Sequence, residues 1–134
     1  MITVTITINL PIKKVWVLWN EVQHITKWYY ASDDWHAPFA ENDLKIGGKF
    51  KTTMAAKDGS FQFDFEGIYN NIKEYKQIDI TLLDNRKMMV AFEDLGTQTK
   101  ITEMFEPETE NPIELQQHGW QAILNNFKKY AENN

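Results

Sequence analysis

The sequence predicts an α+β domain in which a curved antiparallel β-sheet wraps around one long C-terminal helix, with short helices after the first strand. Three observations predict it: an unbroken apolar/polar alternation at the start of the chain, a middle of strand-like runs joined by short turns, and a helical apolar stripe at the end. A sheet with one apolar face has to be covered, and the last helix is the only predicted element long enough to cover it.

In Ile2-Thr3-Val4-Thr5-Ile6-Thr7-Ile8-Asn9 the residues Ile2, Val4, Ile6 and Ile8 share one face, which predicts a half-buried strand. Pro11 fits a first helical position, where its missing N–H costs nothing, and Ile12, Val15, Trp16, Trp19 and Val22 follow at helical spacing. His24 to Trp28 reads as another short helical turn. From Tyr29 to Gly48 the period is lost, and Ser32-Asp33-Asp34, Ala37-Pro38 and Gly47-Gly48 mark turns. That segment is expected to be irregular, and long irregular segments in compact domains are often functional. It carries Trp35, His36 and Phe39.

Five strand-like runs follow. Phe50 to Ala56 ends at the hairpin signal Asp58-Gly59. The run from Phe61 to Tyr69 alternates, with Phe61, Phe63 and Phe65 on one face and Gln62, Asp64 and Glu66 on the other. Gln77 to Leu83, Lys87 to Glu93 and Thr99 to Glu106 complete an antiparallel meander, with turns at Asp84-Asn85 and Gly96. Pro107 stops the sheet, and Asn111-Pro112-Ile113-Glu114 reads as cap, first helical residue and a Glu at the third position. Ile113, Gln117, Trp120, Ile123, Leu124, Phe127 and Ala131 then form the stripe of an amphipathic helix of about five turns.

Of the 134 residues, 43 % are apolar and 25 % charged, which excludes a disordered or fibrous chain. The net charge of −5 offers no basic surplus for nucleic acid. The absence of Cys excludes disulfides, thiolate zinc sites, iron–sulfur ligation and cysteine nucleophiles. No run approaches the roughly 18–20 apolar residues of a membrane helix, and the N-terminus lacks a signal-peptide layout, so the expected location is cytoplasmic. Five Trp, five Tyr and eight Phe bring the aromatic share to 13 %, which points either to dense packing or to a lined cavity.

The strand-then-Pro11 opening with Val15-Trp16, then Trp28, Gly47-Gly48-Lys49-Phe50, Gly67-Ile68-Tyr69 and Gly119-Trp120-Gln121-Ala122-Ile123-Leu124 resemble the START-like (SRPBCC) superfamily. Within it the chain is most similar to small bacterial proteins grouped with the activator of heat-shock protein 90 ATPase. The similarity spans essentially the whole chain, and the Gly-Trp-x-x-Ile-Leu segment is its most specific piece. It implies one START-like domain over residues 1–134 with the helix-grip (Bet v-like) fold, in which the sheet holds the C-terminal helix above a deep, largely apolar cavity. Members of the superfamily bind lipids, sterols, hormones or polyketides, and some are cyclases or dehydratases. The resemblance brings no catalytic motif and no cofactor. The co-chaperone itself is similar to this chain only in its C-terminal domain.

Glu103 stands out among the residues themselves, because Thr99, Ile101 and Phe105 on the same strand face look core-facing. Facing inward, its carboxyl would be desolvated and raised in pKa, fit to donate a proton or hold a polar ligand group. A one-residue bulge turning it to solvent, or a Lys or Arg partner, is the alternative. His36 lies at a plausible pocket mouth as a second acid or base, and equally reads as a surface residue. His24 and His118 carry less, and the three His show no metal spacing, so no metal is expected. Asp64 and Glu66 read as solvated strand residues, and Asp33 and Asp34 as turn residues. No dinucleotide, P-loop or nucleophile-elbow motif occurs. A mid-helix Gly119 asks for a reason, either close approach of the sheet or room for a ligand.

The expected ligand-binding set is Trp28, Trp35, His36, Phe39, Phe63, Phe65, Tyr69, Phe92, Glu103, Gln117 and Trp120, with Glu103 and His36 the catalytic candidates. Three functions compete: a binding module for a hydrophobic or aromatic, lipid-like or polyketide-like molecule; a cyclase or dehydratase using Glu103 with His36 or a Tyr; and a chaperone-interaction module. No nucleic-acid or membrane partner is expected. An open sheet leaves edges, which allows a monomer or a weak homodimer.

Overall fold

The computed structural model describes all residues from Met1 to Asn134. In chain order the elements are β1 (Ile2–Ile8), α1 (Ile12–Asn20), α2 (Val22–Ile25), β2 (Trp35–Asn42), β3 (Lys49–Ala56), β4 (Gln62–Lys73), β5 (Gln77–Leu82), β6 (Lys87–Asp94), β7 (Thr99–Phe105) and α3 (Ile113–Glu132). The seven strands form one antiparallel sheet in the order β1-β7-β6-β5-β4-β3-β2. It curls as a half-barrel around α3, which is the helix-grip architecture. No helix is long and apolar enough to cross a membrane.

Period-2 alternation places the core. Ile2, Val4 and Ile8 of β1, Ile101 and Phe105 of β7, Met88, Val90 and Phe92 of β6, and Ile78, Ile80 and Leu82 of β5 share the concave face. They join Trp16, Trp19 and Trp28 with Leu124, Phe127 and Ala131 of α3 in one cluster of 23 buried apolar residues. Gly67 of β4 lets the sheet close on itself here, because a Cβ at that position would stand 2.8 Å from the Phe50 ring and 2.9 Å from the Thr81 carbonyl.

Four expectations need correction. Residues 35–42 are not irregular but form the edge strand β2; Pro38 and the register shift between His36 and Phe39 hide it, and both are tolerated only at an edge. The first helix ends at Asn20 because Glu21 is extended, which leaves Val22 38 % exposed and outside the stripe. Asn111 does not cap α3: Pro112 precedes the first turn, and no side chain bonds the free N–H groups there. The buried stripe of α3 takes Gln116 rather than Gln117, while Ile113 is 57 % exposed. Neighbouring helical positions differ by about 100° in direction, so a shift of one residue changes the face.

Gln117 belongs to a different arrangement. Its Nε2 donates to the Thr3 carbonyl at 3.3 Å, Gln121 Nε2 donates to Thr5 at 3.1 Å, and Lys128 Nζ donates to Thr7 at 2.6 Å. One polar stripe of α3 thereby occupies the outward carbonyls of the edge strand β1.

Candidate ligand-binding cavity

Between the first half of α3, residues 29–32, and strands β3 and β4 lies an open cavity of about 420 Å³. The helix contributes Leu115, Gln116, Gly119, Trp120 and Ile123, and the sheet contributes Met54, Phe63 and Phe65. Arg86, Glu108 and Asn111 supply polar side chains to the wall. A smaller chamber of about 40 Å³ adjoins it, lined by Tyr69, Phe50, Met88 and Val90 among others. Tyr29, Phe65 and Glu103 line both chambers and so separate them.

Glu103 faces inward. The register of β7 runs unbroken against β1 and β6, pairing Glu103 with Val4 and Val90, so no bulge turns it out. It is 3 % exposed and has neither an ion pair nor a hydrogen bond, and burial alone pushes its carboxyl up to about 8. At neutral pH it is therefore an uncharged acid. Its oxygens open onto the two chambers instead of being sealed without a partner. Tyr29 is half-buried, and burial followed by the nearby Glu103 carboxyl raises its phenol well above the ordinary value. Tyr69 is also raised, chiefly by burial; its hydroxyl donates to Asn42 Oδ1, and Asn42 Nδ2 donates to the Asn20 carbonyl at 2.7 Å.

The aromatic walls are fixed by one another. Trp120 stacks on Phe105 with centroids 3.7 Å apart, meets Phe65 edge-on at 5.7 Å, and Phe65 in turn stacks with Tyr29 at 6.0 Å. No atom lies within 4 Å of where a Cβ on Gly119 would sit. Close sheet approach therefore does not explain that glycine, and the space beside it is cavity. No group of three His, Asp or Glu side chains is arranged to hold a metal ion.

A family model described as Activator of Hsp90 ATPase homolog 1-like protein matches residues 9–132. The chain belongs to this family. An AHSA1-like protein from Aeromonas hydrophila, solved in solution, is 38 % identical with a TM-score of 0.89, the match covering 98 % of this chain and 92 % of that one. A solution structure from Cytophaga hutchinsonii is 56 % identical with a TM-score of 0.84, again over 98 % and 92 %. A crystal structure from Nitrosomonas europaea shares only the fold, at 17 % identity and a TM-score of 0.80 over 98 % and 95 %. No curated protein matches the chain.

The AHSA1-like fold brings some of the sequence-predicted residues together and disperses others. Trp35, Phe63, Phe65, Glu103 and Trp120 line the larger chamber, and Tyr69 lines the smaller. Trp28 does not: it is fully buried against Trp19 and Phe127, its Nε1 donating to the Leu18 carbonyl at 3.0 Å. Phe92 is likewise core, packed edge-on against Trp16 and Trp19. His36 is exposed because β2 alternates and Trp35 takes the cavity side, so it forms no acid–base pair with Glu103. Phe39 is 42 % exposed, with Lys51 Nζ 5.9 Å from its ring centroid. Gln117 is committed to β1, as described. Sequence reasoning missed Tyr29, Met54, Leu115, Ile123 and Arg86; of these Met54 was within reach, since Phe50, Thr52 and Met54 alternate on one face of β3.

Proposed function

We propose that this AHSA1-like protein is a binding module whose larger chamber takes a small hydrophobic or aromatic molecule. The observation that carries the reading is an open chamber of about 420 Å³ with mostly apolar walls and a single buried, unpartnered carboxyl in them. Gly119 adds support, since a glycine inside a helix costs about 0.5–1 kcal/mol and here buys no packing, only space.

Native mass spectrometry of the protein purified from a bacterial lysate tests it. The expected result is a reproducible small-molecule adduct near one to one that disappears in Gly119→Leu, whose side chain would enter the chamber, while the fold is kept. A variant that retains the same adduct would move the ligand elsewhere.

A second reading, an acid–base enzyme of the cyclase or dehydratase type, draws on Tyr29 standing beside Glu103 at the junction of the chambers. Here the tyrosine takes the place expected for His36. Chemical change of the extracted adduct on incubation with fresh protein, absent in Glu103→Gln, would favour this reading.

A further inference from the structure

Building on the binding-module reading, we infer that the ligand is an uncharged molecule with a hydrogen-bond-accepting group, of ketone, aldehyde, ester or amide type, seated between Glu103 and Tyr29. Both groups stand at the junction of the chambers, and neither has a hydrogen-bond partner in the protein. Polar groups that open onto a chamber and have no partner in the protein are free to bond a ligand atom placed between them. As an uncharged acid and a phenol, both can donate.

The charge of the ligand follows from what surrounds that point. No Lys, Arg or His lines the smaller chamber, and Arg86 is the only one lining the larger. Arg86 is already engaged, its Nε donating to Asp84 at 2.7 Å and a terminal nitrogen to the Glu106 carbonyl at 3.3 Å. An anionic ligand finds no free cation. A cationic group seated between Glu103 and Tyr29 would have to ionise Glu103 in an apolar wall that offers the carboxylate no donor but Tyr29; Glu108 of the larger chamber already accepts from the Asn111 N–H, and Glu41 lines only the smaller one. Of the rings lining the larger chamber, Trp120 turns a face to Phe105, and Phe65 and Tyr29 turn faces to each other. The smaller chamber is of the size of one or two water molecules, so the apolar body stays in the larger one.

Four size-matched probes separate the cases by calorimetric titration at pH 6.5: naphthalene, 2-acetonaphthone, 2-naphthoate and 2-(aminomethyl)naphthalene. The expected result is binding of the ketone at least tenfold tighter than the other three. Glu103→Gln, which keeps an uncharged donor, should hold the ketone within threefold, and Glu103→Leu should lower it to the level of naphthalene. Amine or carboxylate binding as tightly as the ketone would overturn the inference, as would an unchanged ketone preference in Glu103→Leu. Naphthalene binding with no gain for the ketone sinks this inference and leaves the binding module standing. Failure of all four probes sinks both.

Discussion

Glu103 exchanges its proton at about pH 8 in the folded protein and near 4.5 in the unfolded chain. Between those values the folded state holds a proton that the unfolded state has lost, so unfolding becomes easier as pH rises. The stabilisation is complete below about 4.5 and is lost through about 8, at roughly 1.4 kcal/mol for each pH unit. Glu103→Gln should therefore gain on the parent protein in thermal midpoint from pH 5 to pH 8.5, the gap widening steadily; parallel curves would show that the carboxyl is not held neutral. The inward direction of Glu103 was legible because β7 alternates without interruption and both flanking strands hold it in register. The chamber assignments of Trp28 and Phe92 were not, because an aromatic on a buried face reads the same in one dimension whether it meets a void or another ring. Only the tertiary meeting of α1, β6 and α3 decides that.

The two informative glycines sit in opposite surroundings, and substitution by alanine should move stability in opposite directions. In α3, Gly119→Ala meets open space and gains helix propensity, so it should stabilise by about 0.5–1 kcal/mol. In β4, Gly67→Ala would press a methyl group against the Phe50 ring, the Thr81 carbonyl and Ile80, and should destabilise by about 1–3 kcal/mol. Chemical denaturation of the two variants against the parent checks both signs at once. At this scale the sequence conveyed strands with clean period 2 and the long helix, since each repeats its pattern over several residues. It concealed β2, where Pro38 and a bulge break the pattern within eight residues, and in α3 it placed Leu124, Phe127 and Ala131 on the buried face but took Gln117 there in place of Gln116. Gln116 is buried and bonds the Glu108 N–H and the Asn111 carbonyl, tying the loop before α3 to the helix.

The order of elements was enough to foresee the architecture, since a curved sheet with one apolar face and one long helix has few ways to close. The 23-residue core draws on β1, α1, β3 to β7 and α3 together, and the chain ends meet through the β1–β7 pairing and the β1–α3 contact. No part has a core of its own, so unfolding should be a single cooperative event. Tryptophan fluorescence, which reports Trp16, Trp19 and Trp28 in the core, and far-ultraviolet circular dichroism should give superimposable denaturation curves. Separate transitions would show that α3 detaches from the sheet on its own.

The amide and ammonium groups that α3 lays along β1 also set a limit on self-association. A linear polymer grown by strand addition needs two open ends on every subunit, and here Gln117, Gln121 and Lys128 occupy one of them. The other end, β2, is interrupted by a proline that has no N–H to give. Two copies meeting through β2 would each present only a blocked rim to the next arrival, so such an assembly terminates at the pair, and the route to a fibre by strand addition is closed while the helix stays in place.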